Sequence, residues 1–212
     1  MEFSETIRDF EGQPITRQML EGLLKDYKRP GDRITDLIKQ GILAQLKSKI
    51  YIPGPVLKMR GPEPFLLANH LAGPSYVSME AALAHWHIIP ERVYGISSAT
   101  TGRSKTYSTA VGRYSYIHLP LPYFSFGQRS IEVATRQVAI IATAEKALCD
   151  TVIATSGLLF RSIKQVKPWV LENMRMDRDE LRKLRPAIIR EWLPNAPKKE
   201  SLEWLVKTLE EL

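Results

Sequence analysis

Four histidines, one cysteine, scattered serines and a surplus of basic side chains are the groups in this sequence that could do chemistry. His85 and His87 stand two residues apart, a spacing that on a helix sends them to nearly opposite sides, so they cannot chelate one ion; His70 and His118 lie far from them in sequence. Cys149 sits between Leu148 and Asp150 with no histidine nearby and reads as a small buried side chain rather than a nucleophile. As the single cysteine it rules out an internal disulfide and a cysteine-rich zinc site. No Gly-x-Ser-x-Gly elbow occurs, and Thr101-Gly102-Arg103-Ser104-Lys105 lacks the first glycine and the Gly-Lys-Ser/Thr ending of a phosphate loop. The triplet Asp26-Tyr27-Lys28 falls on a predicted helix of the basic segment described next. These residues predict neither an enzyme nor a bound metal or cofactor.

The charge carries more information. The chain has a formal net charge of +7 and a pI near 9.5, which favours polyanionic partners. Nine of its basic residues (Lys25, Lys28, Arg29, Arg33, Lys39, Lys47, Lys49, Lys58 and Arg60) lie between positions 25 and 60, against Asp26, Asp32 and Asp36, a local excess of +6. Alone, such a run is a solvated face. Nucleic acid is the expected polyanion, because the longest apolar stretches, around 138–142 and 151–154, are far too short to span a bilayer and no amphipathic basic helix is evident. The start, Met1-Glu2-Phe3-Ser4-Glu5, is acidic without an apolar core and is not a signal peptide, so a cytoplasmic location is expected. With 212 residues, 44% hydrophobic and 25% charged, the chain can bury one large core or two small ones.

The elements that would position the basic residues follow from periodicity. Ile15, Met19, Leu20, Leu23, Leu24 and Tyr27 recur at helical spacing and predict a helix of about three turns with one apolar stripe. Lys28-Arg29-Pro30-Gly31-Asp32 breaks it. A second helix follows, with Asp32 as N-cap and Ile34, Leu37 and Ile38 inward, ending at Gly41. Strand-like runs at 42–46 and 50–52 flank Lys47-Ser48-Lys49, and a helix near 4–10 completes the set. Helix, turn, helix and a basic-tipped hairpin is the layout of a winged helix-turn-helix.

Pro53-Gly54-Pro55 and Arg60-Gly61-Pro62-Glu63-Pro64 read as a linker, which divides the chain into a winged helix-turn-helix over 1–59 and an α/β domain over 65–212. In the latter, 65–68 is expected as a strand, Ser78 as the cap of a helix to Trp86, and 93–99 and 114–118 as strands joined by the polar connection 100–112. A strand at 138–142 leads into a helix capped by Thr143, and the chain beyond Leu158 is helical, with a capping start at Asp177 and an amphipathic last helix over 201–212. The fold class is α+β: a winged helix-turn-helix followed by a mixed α/β domain with C-terminal helices.

Five segments in order strengthen this reading: Tyr76-Val77-Ser78-Met79-Glu80-Ala81-Ala82-Leu83; Ile89-Pro90-Glu91-Arg92-Val93; Ala99-Thr100-Thr101-Gly102-Arg103-Ser104-Lys105-Thr106-Tyr107; Gly112-Arg113-Tyr114-Ser115-Tyr116; and Ala142-Thr143-Ala144-Glu145-Lys146-Ala147-Leu148-Cys149-Asp150. Together, over about 15–150, the chain resembles the AbiEi family of antitoxins from type IV toxin–antitoxin and abortive-infection systems. The resemblance implies a winged-helix domain that represses its own operon and a C-terminal domain that neutralises a nucleotidyltransferase-like toxin encoded alongside. It identifies no catalytic residue. The chain departs from the family at Ala144, where proline is common, and at Lys47-Ser48-Lys49, which lacks a frequent glycine.

On this reading the second helix of the motif enters the major groove. Arg33, Thr35 and Lys39 lie on or near its exposed side, and Arg33 is the base-reading candidate because a guanidinium can bond a guanine edge twice. Lys28, Arg29, Lys47 and Lys49 suit phosphates. Asp32 and Asp36 count against the reading unless they cap a helix or accept from cytosine. Arg103, Lys105 and Arg113 form a candidate second surface for DNA or an acidic partner. Operator DNA and a cognate toxin are the expected partners. A protein-binding module that no longer reads DNA and an unrecognised enzyme are the alternatives.

Overall fold

The computed structural model describes residues 3–90 and 94–212; Met1 and Glu2, and Glu91, Arg92 and Val93, where a strand was expected to begin, lie outside the described residues. The N-terminal part runs α1 (Phe3–Arg8), β1 (Ile15–Thr16), α2 (Arg17–Leu23), α3 (Pro30–Lys39), β2 (Leu43–Lys47) and β3 (Ile50–Pro53). Ile7, Ile15, Leu20, Leu24, Ile34, Leu37, Leu43, Tyr51 and Leu57 close one small core. The strands form an antiparallel sheet in the order β1-β3-β2, with Ile15 opposite Tyr51 and Ala44 opposite Ile52.

Local chemistry sets the helix ends. The Thr16 hydroxyl caps α2 by accepting from the Met19 N–H at 3.2 Å. This helix is shorter than its apolar spacing predicts: Ile15 is buried but belongs to β1, Met19, Leu23 and Tyr27 are exposed, and Leu20 and Leu24 reach the core. Periodicity marks a helix face but does not guarantee a neighbour to cover all of it. Pro30 opens α3 at a position where its missing N–H costs nothing, so Arg29, not Asp32, is the N-cap. At the other end Gly41 takes a left-handed φ of 70°, and the Gly41 and Ile42 N–H groups donate to Ile38 and Leu37 carbonyls, each at 3.0 Å. In the β2–β3 turn Lys49 occupies the left-handed region at φ 68°, where glycine would be easier.

The segment after β3 is not a free spacer. Leu57 is buried in the small core, and the Arg60 carbonyl and N–H bond to the Gly12 N–H and the Glu11 carboxylate, both at 3.0 Å. α4 (Pro64–Leu71) is a helix where a strand was expected at its start; an unbroken apolar run does not distinguish a buried helix from a buried strand, and Pro64 at its first turn favours the helix.

The remainder is a mixed α/β unit. β4 (Ser75–Val77), α5 (Met79–His85), β5 (Gly95–Thr100), β6 (Lys105–Thr109), β7 (Gly112–His118), β8 (Gln128–Ala134) and β9 (Gln137–Ala142) give a six-stranded sheet ordered β6-β7-β5-β4-β9-β8. β4 pairs parallel with β9 and β5 parallel with β7; the remaining pairs are antiparallel. The expected polar connection over 100–112 thus contains an edge strand, β6, whose short and mostly polar sequence Lys105-Thr106-Tyr107-Ser108-Thr109 hid it. α6 (Ala144–Ala154) starts at Thr143, whose hydroxyl accepts from the Lys146 N–H. The chain ends in α7 (Ile163–Pro168), α8 (Arg178–Lys183, capped by Asp177), α9 (Pro186–Trp192) and α10 (Lys199–Glu210), whose Leu202, Leu205, Val206 and Leu209 are buried as expected. Contacts cross between the two parts: Ile52 is buried with the larger core, and the Gln13 amide donates to the Arg136 carbonyl at 2.8 Å. Among the described residues no helix is long and apolar enough to cross a membrane.

Candidate nucleic-acid interface

Ile34 and Leu37 turn one side of α3 into the core, leaving Asp32, Thr35, Asp36 and Lys39 exposed and Arg33 half-buried. Thr35 spends its hydroxyl proton on the Gly31 carbonyl at 3.0 Å, which leaves it only as an acceptor towards a ligand. The Arg33 guanidinium lies 5.7 Å from the centre of the Tyr27 ring, and its buried Nε has no hydrogen-bond partner. The contact holds the guanidinium beside the ring, and the unspent Nε faces the interior rather than solvent. Lys28 and Arg29 are exposed in the turn before α3, with Arg29 loosely paired to Asp32 at 3.8 Å, a contact too exposed to neutralise either group firmly. α3 and the turn before it thus present Lys28, Arg29, Thr35 and Lys39 to solvent, with Asp32 and Asp36 among them and Arg33 half-buried on the flank towards Tyr27.

The hairpin residues part company. Lys49 is exposed at the turn. Lys47 is directed towards the second part of the molecule, where its ammonium donates to the Leu71 carbonyl at the end of α4 at 2.7 Å and sits 4.5 Å above the Tyr107 ring.

The second basic group also splits. Lys105 is opposite Tyr116 and Tyr107 opposite Tyr114, so these residues share the sheet face that buries both tyrosines. Arg113 is opposite Ser108 and Gly95, hence on the reverse face, where it lines a depression of about 440 Å³ with Glu80, Tyr94, Ser97 and Ser115. Arg103 is exposed in the turn between β5 and β6.

Sequence reading missed the most concentrated ionisable cluster, which is internal. Lys146 and Asp150, one helical turn apart on α6, are both fully buried and joined at 2.7 Å. Asp150 also accepts from the Tyr76 hydroxyl at 2.9 Å, Ser78 at 2.7 Å and Tyr123 at 3.0 Å, and the Lys146 ammonium lies 3.3 Å from the Tyr123 ring centre. Ser78 therefore does not cap α5 with its side chain. Burial drives the Lys146 pKa down against the pull of Asp150, and burial followed by Asp150 raises the Tyr76 and Tyr123 phenols well above their usual range. The available signal was a Lys and an Asp four apart in a helix with Ala147, Leu148, Cys149 and Val152 around them, a spacing that pairs them. Cys149, also wholly buried, has its thiol pushed up by burial. The histidines are occupied separately: Nδ1 of His70 and of His118 face the Leu66 and Gly102 carbonyls, and His85 packs edge-on against Phe65 and Trp86. Among the described residues no three His, Cys, Asp or Glu side chains gather as a metal site would require.

No family model matches the chain, and no curated protein matches it significantly. Among solved structures, the crystal structure of the RV2827C protein from Mycobacterium tuberculosis is similar at 13% identity with a TM-score of 0.61, covering 98% of this chain and 75% of that one. At that identity the likeness concerns the fold.

Proposed function

We propose that this chain is a DNA-binding regulator whose N-terminal part is a winged helix-turn-helix with α3 as the reading helix. The observation that carries this is the order α1-β1-α2-α3-β2-β3 around its own core, with the three strands paired β1-β3-β2 and the polar side of α3 uncovered. A helix so presented fits the major groove, with Lys28 and Arg29 at the flanking phosphates and Lys49 at the neighbouring backbone. Arg33, half-buried beside Tyr27 near the start of α3, is the base-reading group. The resemblance to AbiEi antitoxins extends the proposal: the protein represses its own operon, and its α/β part counteracts a nucleotidyltransferase-like toxin. The role is one of binding rather than catalysis, since the closest-knit ionisable groups are sealed in the interior.

Asp32 and Asp36 on the same exposed side favour one other reading, a protein-binding module that no longer engages DNA. The two separate on the affinity of the full chain for its own upstream duplex across a salt series. A DNA reader loses affinity log-linearly with salt, and alanine at Lys28, Arg29 and Lys49 together lowers the slope by about 0.9 for each phosphate no longer neutralised. Absent or salt-independent binding contradicts the proposal.

A further inference from the structure

We propose that the seam between the β2–β3 hairpin and edge strand β6 is a second phosphate-binding site, in which Lys47 and Lys105 flank Tyr107 and receive a backbone phosphate of the duplex held on α3. The inference rests on the DNA-binding reading and extends the DNA-facing surface into the α/β part of the molecule.

Two ammonium groups converge on one aromatic ring: Lys47 Nζ at 4.5 Å and Lys105 Nζ at 5.5 Å from the Tyr107 ring centre. Neither takes part in an ion pair among the described residues. Like charges so placed repel, and an anion between them turns the repulsion into attraction. Burial raises the Tyr107 phenol, but Lys47 and Lys105 outweigh it and leave its pKa below the ordinary value, as expected where positive potential is concentrated. Lys47 is anchored at the Leu71 carbonyl by one of its three donors, so its head is fixed in position with donors to spare.

Position and chemistry name the occupant. Lys47 and exposed Lys49 belong to the same hairpin, so a strand of DNA backbone passing Lys49 continues towards β6. Among the described residues β6 is the last strand of the sheet, and the backbone N–H groups of its outer edge also suit phosphate oxygens. A duplex backbone is a continuous row of phosphates, the kind of polyanion that can meet cations on two neighbouring elements at once.

The test uses the full chain, its labelled upstream duplex and binding curves over a salt series. Lys105→Ala should retain binding but lower the salt slope by about one unit. Arg113→Ala, on the opposite sheet face, should leave the slope unchanged. Because Lys105 is exposed, its replacement should spare folding, which thermal melting checks. If Lys105→Ala melts early, the Tyr107 ring resonances of the wild-type protein decide: they shift on duplex addition if the site is occupied and stay fixed if it is not. An unchanged slope for Lys105→Ala beside normal wild-type binding overturns the seam site and leaves the α3 reading intact. No salt-dependent binding by the wild type overturns both.

Discussion

Asp150 accepts four hydrogen bonds in the interior, from Tyr76, Ser78, Tyr123 and Lys146, and its carboxylate and the Lys146 ammonium lie fully out of water. A buried pair of this kind contributes little net stability over an apolar isostere, but removing one partner leaves the other charge uncompensated. Asp150→Asn should therefore destabilise the fold by about 3–5 kcal/mol. The double variant Asp150→Asn with Lys146→Met should cost less than the sum of the singles, because no lone charge remains. Urea unfolding measures both, and additive effects would contradict the idea that the two side chains act as one unit. At this scale the sequence was legible for the exposed groups, since a positive excess over 25–60 needs only a count. It was illegible for Lys146 and Asp150, whose burial depends on partners from β4 and the turn at Tyr123, distant in sequence.

Some helix ends were readable and others were not. Gly41, Thr143 and Asp177 act through bonds within a few residues, so a local pattern is enough. Asp32 and Ser78 also looked like caps, but Pro30 moves the start of α3 back to Arg29 and Asp150 takes the Ser78 hydroxyl, while the cap at Thr16 was not foreseen. Elements defined by neighbours were harder. The α4 run reads equally as strand, and β6 and β8, which lack a clean apolar alternation, become strands only by pairing with β7 and β9. The proline- and glycine-rich segment after β3 misled as a linker because its glycine serves packing. A Cβ on Gly54 would lie 2.1 Å from the Gly41 carbonyl oxygen, so the end of β3 presses on the cap of α3 backbone to backbone. Gly54→Ala must push these apart and should cost about 1–3 kcal/mol, the range of overpacking. Hydrogen exchange should quicken across β2, β3 and the end of α3, and unaltered protection there would contradict the close approach.

For the molecule as a whole, four tyrosines (Tyr76, Tyr114, Tyr116 and Tyr123) are fully buried round the larger core. Burial pushes the Tyr114 phenol up to about 12 and the other three higher, with Asp150 adding to the effect at Tyr76 and Tyr123. Below pH 10 both folded and unfolded states keep these phenols protonated, and they cost nothing. Above it the unfolded chain ionises first, so stability falls by about 1.4 kcal/mol per pH unit for each such tyrosine until its folded pKa is passed. Tyrosinate absorbance from these residues should appear together with loss of near-ultraviolet circular dichroism, in one cooperative step. A gradual rise with the fold intact would contradict their burial.

The central claim is that α3 reads DNA sequence through Arg33. Its most direct measurement is the ratio of affinities of the full chain for its own upstream duplex and for a random duplex at one salt concentration, with wild-type protein and with Arg33→Ala. The account predicts a clear preference for the upstream duplex, reduced in the variant by about 1–3 kcal/mol, the worth of a bidentate base contact. Equal affinity of the wild type for both duplexes would contradict it.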